Sequence, residues 1–237
     1  MRKSSLILAS IGTLLLLTGI YLAFFVTPEI VVRIEGEEVA QFSQKIFYFH
    51  VPVAWVSLLF FIIGGIFGIM FLIKFLIKRE QSYDQKGYAA VEIGFLFGIL
   101  VMITGVLWTR ADWSVWWDWD PRLTTYLILM LVYAGYFALR SSVQEDSTKA
   151  RFSAVYAIIA AINVPLTFWA GRLEALKPVH PVVFKISGAS MEGPMLAAFL
   201  VSMLGMTLFA FSLFLMRLDL LRASEELDYL KEQVEVV

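Results

Sequence analysis

Residues 46–73 read IFYFHVPVAWVSLLFFIIGGIFGIMFLI, with no charged side chain in the run. A helix crosses the hydrocarbon core of a bilayer with about 20 apolar residues. This stretch exceeds that length and shows no alternation of apolar and polar positions. Lipid offers a peptide backbone no hydrogen-bond partner, so a spanning segment without barrel alternation must be a helix. The rest of the chain has the same character: 59% of its 237 residues are AVILMFWYC and 16% are charged. A soluble domain holds about 45–50% apolar and about 25% charged residues. Mean hydropathy is +0.77. Soluble, disordered, fibrous and nucleic-acid-binding classes are excluded on this balance, and membrane lipid is the expected surrounding.

Working outward, five further stretches qualify as spans. The expected fold is an all-α integral membrane protein, a bundle of six transmembrane helices at about 5–27, 50–73, 87–109, 123–140, 152–171 and 193–216. These form one membrane domain, 1–216, followed by an amphipathic helical tail, 217–237. Arg2 and Lys3 precede the first span in the manner of a signal peptide. Its apolar run is longer than the about 7–15 residues of a signal core, and no small-x-small cleavage site follows. It reads as a retained span.

Lysine and arginine set the orientation. With the N-terminus cytoplasmic, twelve of the nineteen basic residues fall on the inner side. Both termini are then cytoplasmic, and three outer loops lie at roughly 27–49, 110–122 and 172–192. Function sits most often on loops held by a rigid scaffold, and these loops hold nearly all the unusual residues. Within the spans, Gly64-x-x-x-Gly68 and Gly94-x-x-x-Gly98 allow close helix approach and read as packing within the bundle. Glu92 falls near the inner end of the third span, where a solvated interfacial position fits as well as a functional one. Asn163 and Pro165 predict a kink in the fifth span. In the tail, Leu220, Ala223, Leu227, Leu230, Val234 and Val237 follow 3-4 spacing, an a/d seam. It fits either a helix lying on the membrane or bundle, or a docking helix for a partner subunit.

The chain has no cysteine and two histidines. Disulfides, thiolate metal sites and the C-x-x-C-H haem attachment motif are thereby removed. His50 stands beside Pro52, a residue suited to the first turn of a helix, at the outer end of the second span. His180 lies in the third outer loop, in Lys177-Pro-Val-His180-Pro181. Taken singly, each fits a capping or surface hydrogen-bonding role. As an outer-facing pair they equally fit metal ligands, because neutral imidazole binds metals. Zinc asks for three or four ligands, and no carboxylate stands at a matching spacing. Two imidazoles are, however, a full axial set for haem iron, whose other ligands come from the porphyrin.

The second outer loop bears on that choice. It runs Arg110-Ala-Asp112-Trp113-Ser114-Val115-Trp116-Trp117-Asp118-Trp119-Asp120-Pro121-Arg122-Leu123-Thr124, with four of the seven tryptophans of the chain within seven residues. An interfacial aromatic belt accounts for one or two of them. Four, with aspartates between and after, suit a platform for a large flat apolar ligand, since indole faces stack on planar rings. Arg110 and Arg122 flank the platform and can pair with carboxylates on the ligand's edge. Asp118 and Asp120 suit holding the loop's own N–H groups or orienting the arginines.

The pattern Trp113-x-x-Trp116-Trp117-x-Trp119-Asp120-x-Arg122-Leu123-Thr124 resembles the tryptophan-rich WWD signature of haem-handling membrane proteins. Phe-Tyr-Phe-His50-Val-Pro-Val-Ala-Trp55 is similar to the first-histidine segment of one family among them, cytochrome c maturation protein C, or haem exporter protein C. The resemblance covers about residues 30–215. Two departures stand out. Ser114 occupies a position where glycine is usual. Paired aromatics usual shortly before the second histidine are missing before His180, with Trp169 eleven residues upstream.

The resemblance implies a bacterial cytoplasmic-membrane protein that holds haem b at the outer surface. His50 and His180 would be its axial ligands, and Trp113, Trp116, Trp117, Trp119, Asp120 and Arg122 its binding loop. It further implies presentation of haem to a periplasmic haem chaperone (maturation protein E). The expected partners are an ATP-binding-cassette ATPase (protein A), a membrane subunit (protein B) and a small single-span subunit (protein D). The chain carries no G-x-x-x-x-G-K-[ST] phosphate loop of its own, so it reads as a transfer protein and not an enzyme. The alternatives are a haem lyase-type enzyme of the same superfamily, and a permease or assembly subunit whose tryptophans are only belt.

Overall fold

A computed structural model describes residues 3–29, 31–34, 37–40, 42–78, 82–170, 184–185, 188–189, 191 and 193–235. Seven helices account for nearly all of it: α1 (Lys3–Phe25), α2 (Phe47–Lys78), α3 (Ser82–Trp113), α4 (Pro121–Ser142), α5 (Asp146–Ala161), α6 (Asn163–Ala170) and α7 (Gly193–Glu235). Among the described residues, six helical segments are long and apolar enough to cross a membrane, α5 and α6 together forming one of them. The expected six-span helical membrane protein is what the chain builds.

Neighbouring helices run antiparallel, as their pairings show. Ser57 of α2 donates to the carbonyl of Gly94 on α3, and Nδ1 of His50 lies 2.8 Å from Oγ1 of Thr104. Arg140 near the end of α4 pairs with Asp84 near the start of α3. The hydroxyl of Tyr156 on α5 donates to Val132 on α4. His50, the end of α3 and the start of α4 therefore share one end of the bundle. The core between α2, α3, α4 and α7 is aromatic and fully buried, with Phe60, Phe61, Leu129, Tyr133 and Val91 at its centre. Phe61 stacks on Tyr133 at 3.6 Å between ring centroids.

Small residues set the helix separations. A Cβ added at Gly94 would lie 2.7 Å from the ring of Phe61, and one at Gly68 2.9 Å from the carbonyl of Ala154. The two glycine pairs singled out in the sequence thus pack α3 and α5 against α2. The tightest approach to another helix's backbone lies between α1 and α7, where a Cβ at Gly12 would sit 2.7 Å from the backbone nitrogen of Phe209. The buried residues of α1 are Ser5, Gly12, Gly19 and Ala23, a single stripe of small side chains.

Several boundaries differ from the sequence reading. Two short antiparallel hairpins join the helices: β1 (Val31–Ile34) with β2 (Glu37–Ala40), and β3 (Phe184–Lys185) with β4 (Gly188–Ala189). The first was expected as loop, but its Val- and Ile-rich alternation favours a strand. A 3-10 turn, Phe42–Ile46, leads directly into α2, which starts at Phe47. Pro52 therefore falls in the second turn and not the first. The third span continues to Trp113, so the first tryptophan of the WWD stretch is helical. The fifth span breaks between Ala161 and Asn163, where the kink was expected. The last span and the tail form one uninterrupted 43-residue helix. Glu92 is no solvated interfacial acid: its carboxylate grips Arg217 of α7 by hydrogen bonds of 2.6 and 2.8 Å.

Candidate functional site

On α2, Phe47, His50, Val51, Ala54 and Leu58 recur at three- and four-residue steps and so share one face. That face lines a cavity of about 710 Å³, closed on other sides by Val101, Gly105 and Trp108 of α3, Arg122, Leu123 and Tyr126 of α4, Val164 and Phe168 of α6, and Phe199 and Met203 of α7. Small-molecule sites span about 300–1,000 Å³ and are mostly apolar with a few placed polar groups. This cavity fits that description. Among its described lining residues, His50 and Arg122 are the ones that carry or can take a positive charge. Trp55, Ile62, Phe168, Trp169 and Leu200 also line it, and each is substantially exposed. The cavity thus lies among the spanning helices.

His50 is held from α3. Its Nδ1 lies 2.8 Å from the Thr104 hydroxyl, and its ring meets the Trp108 ring edge-on at 5.5 Å between centroids. Trp108 in turn donates its indole N–H to Asp112 at 2.5 Å. Gly105 leaves room for the imidazole: a Cβ there would sit 3.3 Å from Cε1 of His50. Phe47 fills the space beside them, stacked on Phe199 at 5.1 Å and edge-on to Trp108 at 6.5 Å.

The WWD stretch forms the link from α3 to α4. Asp120 is buried and caps α4, its carboxylate accepting from the backbone N–H of Arg122 at 2.8 Å. Pro121 follows at the first helical position, where its missing N–H costs nothing. Of the two roles the sequence left open for Asp118 and Asp120, holding nearby N–H groups or orienting the arginines, Asp120 takes the first at the backbone N–H of Arg122. Ser114 takes a positive φ of 59°, a left-handed conformation that glycine adopts without strain. Glycine's usual place there has this backbone reason. Arg110 donates to the carbonyl of Ser114 and lies over the Trp116 ring at 5.5 Å. Trp117 and Trp119 meet edge-on at 5.8 Å.

The structure brings His50 and Arg122 together at one cavity. The four tryptophans of the loop lie apart from its lining, and Trp116 and Trp119 are 62% and 72% exposed, so their rings face outward. Trp117 is different: its indole nitrogen, like the hydroxyl of Thr124, is buried without a hydrogen-bond partner. His180 lies outside the described residues. Trp55, Trp108 and Trp169 line the cavity and were not among the expected site residues. For Trp55 and Trp108 the available signal was their helical spacing: Trp55 one turn beyond Val51, Trp108 one turn beyond Thr104. Among the described residues no group of three or more His, Asp or Glu side chains could hold a bare metal ion.

A family profile described as heme exporter protein C matches residues 1–231. The chain is 35% identical over 188 residues to heme exporter protein C of Bradyrhizobium diazoefficiens, covering 76% of this chain and 68% of that protein. It is 32% identical over 159 residues to the Rhodobacter capsulatus protein of that name, covering 66% and 60%. With the Escherichia coli K12 protein of that name it shares 30% identity over 126 residues, covering 52% and 49%. The matched segments thus span about half to two thirds of these relatives. With a profile match over nearly its whole length and a bundle of six span-capable helices, the chain belongs to the heme exporter protein C family.

Proposed function

We propose that this protein binds haem b as cargo at the outer face of the bacterial cytoplasmic membrane and presents it to a periplasmic haem chaperone during c-type cytochrome maturation. The observation that carries the reading is the meeting of His50 and Arg122 at an otherwise apolar cavity of about 710 Å³. A planar macrocycle with acidic edges asks for that combination. Imidazole supplies an axial ligand, guanidinium pairs with propionate, and apolar walls take the ring faces. The buried, unmatched polar atoms of Trp117 in the loop and Thr124 in the first turn of α4 add donors nearby.

His180 is the proposed second axial ligand. Trp116 and Trp119, whose rings face outward, together with Trp113 and Trp117 beside them, are the proposed platform where a docking chaperone would meet the cargo. Asp120 keeps that loop in place by capping α4, and so sets where Arg122 stands. The outer placement rests on the excess of lysine and arginine on the opposite side. The expected partners are the chaperone, maturation protein E, together with an ATPase subunit (protein A), a membrane subunit (protein B) and a small single-span subunit (protein D). The names of these relatives favour a transport or assembly component over an enzyme.

The test is the absorption spectrum of the purified full-length protein. It should carry haem b with a six-coordinate, low-spin spectrum that His50→Ala combined with His180→Ala abolishes. An unchanged spectrum in the double variant would overturn the ligand assignment. Joint replacement of Trp116, Trp117 and Trp119 by Phe should impair transfer to the chaperone; full transfer would leave those residues only a membrane belt.

A further inference from the structure

His50 is seated by α3 in a way that determines which of its ring nitrogens carries the proton. A threonine hydroxyl has a single hydrogen to donate. Oγ1 of Thr104 lies 2.7 Å from the carbonyl oxygen of Leu100, one turn back on its own helix, and 3.3 Å from that of Val101. Neither oxygen can donate, so the hydroxyl hydrogen is spent on Leu100. Facing His50 at 2.8 Å, Oγ1 has only its lone pairs to offer, and Nδ1 must supply the proton. The neutral imidazole is thereby held as the Nδ1–H tautomer with its lone pair on Nε2.

We propose that Thr104 is the positioning residue for His50: by accepting from Nδ1–H it commits Nε2 to the role of iron ligand and fixes the plane of the ring. The inference rests on the haem reading above for the identity of the metal, but the tautomer itself does not. Ligating histidines characteristically give their second N–H to an oxygen acceptor, which orients the ring and raises its basicity. In this chain the acceptor is neither a carboxylate nor a loop carbonyl but a hydroxyl polarised by its own helix. Two further contacts of the ring agree. The edge of Trp108 and the clearance at Gly105 flank the imidazole without competing for Nδ1. Thr104, Gly105 and Trp108 occupy adjacent positions on one face of α3, so a single rigid helix presents the whole seat. None of it comes from the tryptophan loop.

The test uses the full-length protein in two states. In haem-free protein labelled with 15N in histidine, the His50 nitrogens report the tautomer by their chemical shifts. Wild type and Thr104→Ser should show Nδ1–H, and Thr104→Val should shift toward Nε2–H. In haem-loaded protein, Thr104→Val should weaken haem retention by about 10–100-fold, the usual cost of losing such a partner. It should also raise the reduction potential of the bound haem, with Thr104→Ser restoring both. Wild-type protein showing Nε2–H at His50 overturns the proposal, as does a Thr104→Val variant with the tautomer and haem retention of wild type. Should His50→Ala retain haem with an unaltered spectrum, the haem reading fails at this residue, while the labelled haem-free protein still decides the role of Thr104.

Discussion

Arg217 on α7 holds Glu92 on α3 with both arms of its guanidinium, at 2.6 and 2.8 Å, with each side chain less than one third exposed. The ring of Tyr88, one turn before Glu92, lies between this arginine and Arg140, at 5.7 and 4.4 Å from their guanidinium carbons. Arg140 is itself paired in the same two-armed fashion with Asp84, one turn earlier again. A single stripe on α3, Asp84-Tyr88-Glu92, therefore ties α4 and α7 to the bundle at the end away from His50.

Breaking this tie should loosen α7. Arg217→Ala leaves the Glu92 carboxylate without its cation, and lost hydrogen bonds to charged groups cost about 1.5–3 kcal/mol each site. The expected result is a clear fall in thermal midpoint in detergent, larger than for Arg217→Ala combined with Glu92→Gln, because the second change removes the stranded charge. Equal midpoints for the single and double variants would show that the pair is not coupled.

Ser114→Gly should stabilise the tryptophan loop. The left-handed backbone costs an L-residue about 1–2 kcal/mol, and Ser114 sits there at φ 59°. Ser114→Val should destabilise by more, since a branched Cβ suits that region least. Tryptophan fluorescence during thermal unfolding distinguishes the two. Midpoints that move in the opposite order would refute the strain.

Gly12→Leu should separate α1 from α7. The added side chain meets backbone, the nitrogen of Phe209 at 2.7 Å, so it cannot be accommodated by a rotamer change. Overpacking of this kind costs about 1–3 kcal/mol or more. Leu14→Ala, on the exposed face of the same helix, should be nearly silent. Protease accessibility of a tag on the N-terminus measures whether α1 stays docked.

The junction between α4 and α5 should respond to acid. Glu145 caps α5, its carboxylate accepting from the backbone N–H groups of Ser147 and Thr148 at 2.9 and 2.7 Å. Hydrogen bonds from the Ser147 and Thr148 side chains, reinforced by those backbone N–H groups, lower its pKa from 4.5 to about 2. A depressed carboxylate contributes fully above its unfolded pKa, and that contribution is lost as pH falls from about 4.5 toward 2. Protection of the Ser147 and Thr148 amides against hydrogen exchange, relative to their intrinsic rates, should therefore fall across this window in the wild type and be already low in Glu145→Ala. A pH-independent cap would contradict the assignment.

Much of this architecture could be read from the chain because apolar length is an unambiguous signal. The run from Ile46 to Ile73 can only cross a bilayer, and Asn163 with Pro165 marks the break that separates α5 from α6. Other features depend on partners distant in sequence. Nothing local to Glu92 announces Arg217, 125 positions away, so the acid read equally as interfacial or functional. Gly12 and Gly205 lack a neighbouring glycine at four-residue spacing, and their mutual role emerges only once α1 and α7 are side by side. At the site, His50 and Arg122 were legible from residue type and position. Thr104 and Trp108 were not, because a threonine or tryptophan inside an apolar helix carries no mark until the opposite helix places a histidine against it. The Trp113–Trp119 cluster drew attention to the loop, whereas the cavity walls are made by tryptophans scattered singly along three helices.

The first helix has a corollary for sequence drift. Its four buried positions, Ser5, Gly12, Gly19 and Ala23, are all small, while Leu6, Ile7, Leu14, Leu17, Tyr21 and Phe24 point away from the protein. One edge of this rod answers to the neighbouring chain atoms and tolerates almost no added volume. The remaining circumference answers only to fatty-acid tails, for which any greasy residue is equivalent. Mutational tolerance along α1 is thus divided lengthwise rather than by position in the sequence, and bulk matters where hydrophobicity does not.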